Sequence, residues 1–426
     1  MAPERALSQA LAELYRRVPL GMRLGLDPMR AACARSGHPE HAFAAVHVAG
    51  TNGKGSVCAM VESIARAAGL RTGLYTSPHL CRFAERIRID GTPIDDLTLA
   101  THLMRALEDP AGLSFFETAT LAAFFAFEEA KVDIAVVEVG LGGRLDATNV
   151  LPTPRGAAIT RIAIDHTDRL GETLAEIARE KAGIAKPGLD IVLGPMPDQV
   201  RAAIDEVARS VRATTSSIDG APVPAAVGLA GTHQIDNARI ASVLGMRLGA
   251  SHTAIEKGIA SVAWPGRLER LGPYLLDAAH NADGAEALAK YVATLGYRPE
   301  EVALVFGTLI DKDYRAMLTA LAPLAATRVY VAPHSAARPA VDPHVLSRIY
   351  PGTVASSLAE ALGTLPAASP WLPPHPPSFG SAEPQRSAPP LVVTGLKCVI
   401  IAGSIALVGQ VRAALLGLPR DLPVAL

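Results

Sequence analysis

The stretch His47-Val48-Ala49-Gly50-Thr51-Asn52-Gly53-Lys54-Gly55-Ser56 constrains the possible folds more than any other part of the chain. The β-prone residues Val46 and Val48 lead into a glycine-punctuated loop. A lysine follows, and then a helical run from Val57. Strand, tight loop and helix N-terminus in that order make an anion cradle. Successive backbone N–H groups and the helix dipole face the anion, and Lys54 reaches its outer oxygens. The glycines let the backbone approach phosphates without a Cβ in the way. The spacing departs from G-x-x-x-x-G-K-[ST], because Val48 stands at the first glycine position and Gly55 separates Lys54 from Ser56. A bare Gly-Lys pair is weak evidence of a phosphate site. The strand–loop–helix setting favours nucleoside triphosphate binding over a plain turn.

The rest of the chain alternates in the same way, which indicates an α/β fold with a mostly parallel sheet and helices on both faces. Strands are expected at Ala45–Ala49, Thr72–Thr76, Asp133–Val139, Ala157–Ile162 and Ile191–Gly194. Helices are expected at Val57–Ala68, Leu97–Leu107, Thr118–Ala130, Thr173–Ala182 and Asp198–Val211. A second series has strands Tyr274–Leu276, Val302–Phe306, Arg328–Ala332 and either Leu391–Thr394 or Val399–Ala402. Its helices include Ala285–Leu295, Tyr314–Leu321 and Ile405–Leu415. The turn Leu271-Gly272-Pro273 places a domain boundary there, giving domains 1–271 and 272–426. The Pro-, Ser- and Ala-rich stretch Pro366–Pro390 reads as a solvated insertion in the second domain, with PxxP docking as the alternative.

At 426 residues and 49% hydrophobic content, the chain is long and apolar enough for two or three cored domains. A net charge of −1 argues against general nucleic-acid or anionic-membrane binding, both of which need a basic surface. The cysteines Cys33, Cys58, Cys81 and Cys398 form no C-x-x-C pair, which suits a reducing cytoplasm. Cys58 reads as a small apolar helix residue, not a nucleophile. No leader pattern opens the chain and no apolar run reaches transmembrane length, so a cytoplasmic location is expected. A monomer is expected too, although nothing in the sequence reads out the oligomeric state.

Several residues carry both a bland and a chemical reading. Glu138 ends an apolar strand before the Gly140–Gly143 turn, at the carboxyl edge where parallel sheets bind ligands. Ser77 follows a strand and precedes Pro78, so alone it would be an ordinary turn residue. His166 ends a strand after Asp165, and a lone histidine there is more often structural. Glu180-Lys181 looks like surface charge on a helix.

The segment Gly-Thr-Asn-Gly-Lys-Gly-Ser resembles the ATP site of the Mur ligase superfamily, specifically the folylpolyglutamate synthase/dihydrofolate synthase family of the bifunctional bacterial type. Further segments match in the family's order: Thr76–Leu80, Glu85–Ile87, Phe116-Glu117, Val137–Asn149, Asp165-His166, Glu180–Ile184, Pro265–Arg267 and Asp277–Asn281. The resemblance implies a P-loop-type central ATPase domain followed by a smaller Rossmann-like domain. It implies an ATP-dependent ligase that adds L-glutamate to dihydropteroate or a reduced folate through an acyl phosphate, the two domains closing on the substrates. By the same resemblance Asn52, Gly53, Lys54, Gly55, Ser56, Asn237, Arg267 and Asp277 bind ATP across an interdomain cleft. Ser77 and Glu138 ligate a first Mg²⁺, His166 belongs to a second, and Lys181 is carbamylated. Lys54, Lys181 and His280 are the expected catalytic residues, with His280 near the phosphate or the incoming glutamate. Leu24, Gly25, Phe116, Glu117, Asp146, Ala147 and Ser404 are the expected substrate contacts. The other phenylalanines of the stretch, Phe115, Phe124, Phe125 and Phe127, read as core. Ala278 and Ala282 stand where the family pattern D-G-A-H-N-P has Gly and Pro. The competing readings are another Mur-type amino-acid ligase, a P-loop kinase or nucleotide switch, and, last, a non-enzymatic scaffold. The Gly140–Asn149 and Thr76–Leu80 motifs, with no room for a UDP-binding domain before residue 47, weigh against a peptidoglycan ligase.

Overall fold

A computed structural model describes residues 3–18, 25–335, 338–365 and 395–421. The chain forms two units, one of residues 1–79 and 83–264, the other of residues 80–82 and 265–425. The division falls between Trp264 and Pro265, not at Leu271-Gly272-Pro273. The latter turn instead closes an antiparallel hairpin inside the second unit, because Gly272 (φ +58°) lets the chain reverse between two short strands.

The first unit opens with α1 (Pro3–Tyr15) and α2 (Asp27–Arg35). Then come β1 (Ala44–Ala49), α3 (Lys54–Ala67), β2 (Thr72–Tyr75), β3 (Ile87–Ile89), β4 (Thr92–Pro93), α4 (Asp96–Leu107), α5 (Phe115–Ala130) and β5 (Ile134–Glu138). They are followed by β6 (Gly156–Ile159), α6 (Thr167–Leu170), α7 (Leu174–Ala182), β7 (Asp190–Leu193), α8 (Asp198–Ser210), β8 (Thr214–Ser217), α9 (His233–Arg247) and α10 (His252–Ser261). The eight strands run in the order β4-β3-β2-β5-β1-β6-β7-β8, parallel from β2 to β8 with β3 and β4 antiparallel.

Strand residues alternate between the two faces. Val46, Val48, Leu74, Ala158 and Val192 pack in one core with α3, α9 and α10. Ala157, Ile159, Ile191 and Leu193 pack in another with α7 and α8. Gly73, adjacent to Leu74, lies against Phe127 of α5. Helix α5 is buried from Phe115 to Phe127, which accounts for its apolar character all round.

The second unit contains β9 (Glu269–Leu271), β10 (Tyr274–Leu276), α11 (Ala282–Thr294), β11 (Val302–Phe306), α12 (Tyr314–Leu321), β12 (Thr327–Val331), α13 (Pro343–Ile349), β13 (Thr353–Ala355), α14 (Leu358–Gly363), β14 (Cys398–Ala402) and α15 (Ile405–Leu416). Its sheet order is β13-β12-β11-β14-β10-β9, parallel except for β9. The strand expected at Val399–Ala402 is therefore β14. The alternative Leu391–Thr394 and the insertion Pro366–Pro390 lie outside the described residues. Val305, Val329 and Ile401 share a core with α15 and with Leu80-Cys81, while the alternate positions Leu304 and Ile400 are also buried. All four cysteines are free and buried, and among the described residues no helix is long and apolar enough to cross a membrane.

Candidate active site

The loops that follow β1, β2, β5 and β6 leave the same edge of the first sheet. The connections from β1 run towards β2 on one side, and those from β5 run through β6 to β8 on the other. That reversal at the carboxyl ends of the strands is where open α/β sheets bind ligands.

The phosphate loop, residues 50–53, joins β1 to α3 without an intervening turn. Gly50 has φ +147°, and a Cβ there would lie 1.8 Å from Thr160 Oγ1. Thr160 is fixed in turn, since its hydroxyl donates to Asn52 O at 2.7 Å. Gly53 caps α3 in a left-handed conformation (φ +92°), and a Cβ there would meet Asn237 Oδ1 at 2.6 Å. Asn237 Nδ2 donates to Gln234 Oε1 (2.9 Å) and Gln234 Nε2 to Ser56 Oγ (3.2 Å), which ties α9 to the loop. Thr51 N donates to Arg161 O, and Thr51 Oγ1 bonds the backbone of Ala163, clamping the loop to the segment after β6. Lys54 Nζ donates to Thr51 O at 3.1 Å, folding back over the loop that it opens from. Asn52, Gly53, Lys54, Gly55, Ser56 and Asn237 are thus brought together.

Glu138, the last residue of β5, is buried beside this loop. Its Oε2 accepts from Ser77 N at 3.1 Å and lies 3.6 Å from the Cβ position of Gly55. The Trp264 indole Nε1 is 3.1 Å from the same position. The Ser77 loop is held from behind by Arg86, fully buried against Phe83 and Phe115. Arg86 Nε donates to His79 Nδ1 (3.0 Å), and Thr76 N donates to Arg86 O (2.9 Å). His166 has φ +51° and caps the short helix α6, its backbone N donating to Asp165 Oδ1 at 2.9 Å. Cys58 is fully buried and its thiol is pushed up by burial, so it stays protonated and inert, as the apolar reading of α3 expects.

Lys181 departs most from the look of its sequence. Glu180 pairs with Arg144 at the surface, while Lys181, one residue on, points inward and is 4% exposed. Burial, and then the nearby charge of Lys54, lower its pKa to about 7, with Asp165 and Asp146 opposing. The buried amine is therefore about half neutral at pH 7, against almost wholly charged for an ordinary lysine, and it lies within the electrostatic reach of the phosphate-loop lysine.

The expected acceptor residues divide. Leu24 lies outside the described residues, and Gly25 sits at the entry to α2 with φ +127°. Phe116 is as buried as its neighbours, its ring packed on the Gly140 turn and 6.0 Å from Tyr75, so it too is core in this structure. Glu117 differs from its expected place in a pocket wall. Its carboxylate accepts from Ser114 N (2.8 Å) while Ser114 Oγ accepts from Glu117 N, a capping box that starts α5. Asp146 caps the turn containing Ala147, accepting from Leu141 N (2.8 Å), Thr148 N (3.0 Å) and Thr148 Oγ1 (2.5 Å). The Thr148 hydroxyl, having donated to Asp146, accepts from His47 Nε2 at 2.8 Å. Burial lowers the His47 pKa to about 3, so this ring is neutral. Burial also raises the Asp146 pKa, against the pull of its hydrogen bonds.

In the second unit the residues after β10 and β14 share a sheet edge. Asp277 accepts from Leu268 N and Ala279 N, each at 2.9 Å, and so fixes the stretch that carries Arg267. His280 Nδ1 is 3.0 Å from Ala278 O, and Asn281 caps α11. Gly403 N donates to Ala279 O at 3.1 Å, and the buried Ser404 hydroxyl caps α15 by accepting from Leu407 N. The turn that carries Ala278 and Ala282 is thus held by the Asp277 and Asn281 side chains.

Gln234, Thr160 and Trp264 were not legible as site residues. They come from α9, from the loop after β6 and from the last residue of the unit, and no local motif marks them.

Known proteins resemble the chain in both sequence and overall fold. Residues 48–192 match the Mur ligase middle domain and residues 266–370 the Mur ligase glutamate ligase domain. The dihydrofolate synthase/folylpolyglutamate synthase of Bacillus subtilis is 36% identical over 361 residues, covering 75% of this chain and 84% of that protein. Against bifunctional folylpolyglutamate synthase/dihydropteroate synthase relatives of Halobacterium salinarum and Haloferax volcanii, the chain spans only 38% and 43% of their length. The Mycobacterium tuberculosis folylpolyglutamate synthase complexed with ADP superposes with a TM-score of 0.81 at 29% identity, over 99% of this chain and 100% of that one. A bifunctional folylpolyglutamate synthase/dihydrofolate synthase solved with Mn, AMPPNP and L-glutamate gives 0.76 at 31% identity, over 93% and 95%. With both Mur ligase domains matched, the phosphate loop in place and full-length likeness to these enzymes, the chain belongs to the folylpolyglutamate synthase/dihydrofolate synthase family of the Mur ligase superfamily.

Proposed function

We propose that this protein is an ATP-dependent ligase that joins L-glutamate to the carboxylate of dihydropteroate, of a folyl-glutamate, or of both. The observation that carries the reading is the meeting, at one sheet edge, of the phosphate-loop Lys54, the buried carboxylate of Glu138 and the buried amine of Lys181. Amide formation at neutral pH needs an activated carboxylate. An acceptor carboxylate oxygen attacks the γ-phosphorus of ATP, ADP leaves, and an acyl phosphate remains. The amine of glutamate then attacks the acyl carbon and phosphate departs with the bonding pair.

The chain's own task is to position these groups and neutralise charge. The α3 N-terminus and Lys54 hold the β- and γ-phosphates, and Asn237 with the Gly53 backbone shapes the loop beneath them. In the second unit Asp277 sets the backbone around Arg267. Hard oxygen donors at Ser77 and Glu138 suit Mg²⁺, and a carbamate on Lys181 would add another beside His166. When bound, Mg²⁺ supplies positive charge against the crowded phosphates. Carbamylation requires a neutral amine, and the lowered pKa of Lys181 supports it, as does the lack of any carboxylate at ion-pair distance from Nζ among the described residues.

The test is ADP release with dihydropteroate and then with tetrahydrofolate, each with and without L-glutamate. Glutamate-dependent turnover with either acceptor is expected, and the pair of results assigns the acceptor. Steady ADP release that ignores glutamate would make the protein a kinase or a nucleotide switch.

A further inference from the structure

We propose that His38, Glu40 and His41 form a binding site for a borderline divalent transition ion such as Zn²⁺, separate from the nucleotide site. One imidazole nitrogen from each histidine and one carboxylate oxygen all lie within 4.8 Å of one another. His38 Nδ1 is 2.9 Å, and His41 Nε2 3.6 Å, from Glu40 Oε1. Tetrahedral zinc with bonds of 2.0–2.1 Å sets its donors about 3.3 Å apart, a value between these two distances.

The backbone builds the arrangement. His38 takes a left-handed conformation (φ +61°) and caps a single 3₁₀ turn, Pro39–His41. Side chains three apart eclipse in such a turn, so the two rings stack with centroids 4.9 Å apart and 15° between planes. Both imidazoles are half exposed, at 51% and 57%, while the Glu40 side chain beneath them is 5% exposed. Glu40 Oε2 is buried and has no hydrogen-bond partner among the described residues. Burying a carboxylate is costly, and a cation at Oε1, the oxygen that both rings approach, offsets that cost. The Cys33 thiol lies beside the same carboxylate, and burial, then the Glu40 charge and a thiol hydrogen bond to that carboxylate, keep it protonated.

Two imidazoles select Zn²⁺, Co²⁺ or Ni²⁺ over Mg²⁺, which prefers oxygen, so a magnesium-dependent reaction leaves this site to other ions. His41 and Gly50 bracket the six residues of β1. At about 3.3 Å per residue, roughly 20 Å of strand separates the two sites. An ion here fastens the connection from α2 to β1 and takes no part in the chemistry at the other end.

The test uses the full chain in excess Mg²⁺ and a non-hydrolysable ATP analogue, which occupy the nucleotide site. Titration calorimetry with Zn²⁺ is run on the wild type and on His38→Ala/His41→Ala. The wild type is expected to bind one zinc equivalent that the double variant loses or binds at least about 100-fold more weakly, with ADP release in Mg²⁺ unchanged. In the wild type, Zn²⁺ is also expected to protect His38 and His41 from diethylpyrocarbonate, read by peptide mass spectrometry. No zinc equivalent in the wild type, equal binding by the variant, or unprotected histidines would each overturn the proposal. None of these readouts depends on which acceptor the enzyme uses.

Discussion

Replacing Lys181 with methionine separates stability from activity in a way that the burial of this side chain makes quantitative. The folded-state pKa of about 7 lies some 3.5 units below the usual lysine value of 10.5. Below pH 7 the amine is charged in both states, and its burial costs the folded state about 5 kcal/mol at 1.36 kcal/mol per unit. Between pH 7 and 10.5 the unfolded chain holds a proton that the folded chain lacks. Wild-type stability therefore rises by about 1.4 kcal/mol per pH unit, and the cost vanishes above 10.5. Lys181→Met fills a similar volume without a charge, so it should be more stable than wild type near neutral pH. Its advantage should shrink by about 3 kcal/mol between pH 7 and 9.5. The assay is urea denaturation followed by circular dichroism at a series of pH values in CO₂-free buffer, taking the variant-minus-wild-type difference so that other titrations cancel. If Lys181 is carbamylated as proposed, bicarbonate should raise the stability of the wild type only, because the lowered pKa that favours the carbamate exists in the folded state alone. The same variant should lose most of its ligase activity. A stability difference that does not change with pH would refute the buried-amine reasoning. A fully active Lys181→Met would refute the role in catalysis.

Two further outcomes follow from the phosphate loop. Gly50→Ala places a methyl group on Thr160 Oγ1 and strains a positive φ, so it should cost about 2–4 kcal/mol and raise the KM for ATP, checked by thermal melting and steady-state kinetics. Lys54→Ala removes the cation proposed to face the β- and γ-phosphates, so turnover should vanish and ATP binding weaken while the melting temperature stays near wild type. Near-normal ADP release from that variant would end the phosphate-loop assignment.

By itself the sequence determined what local pattern can encode. Short continuous apolar runs rich in Val, Ile and Ala marked the central strands to within a residue or two at most ends, because these strands are buried on both faces, and the glycine loop before Lys54 marked the nucleotide edge. The Ser114-x-x-Glu117 spacing was also legible as a capping box, and reading Glu117 as a pocket residue passed over it. The tertiary structure decided what depends on distant neighbours. Glu180 and Lys181 are indistinguishable in sequence, yet packing turns one outward to Arg144 and the other into a buried pocket of charge. The helices α9 and α10 carried no signal strong enough to be anticipated, although α9 supplies Gln234 and Asn237 to the loop. The domain boundary moved because a Gly-Pro turn marks a chain reversal wherever it occurs, inside a unit or between two. Backbone geometry is written over a few residues, whereas burial, and with it pKa and side-chain role, is set by residues tens to hundreds of positions away.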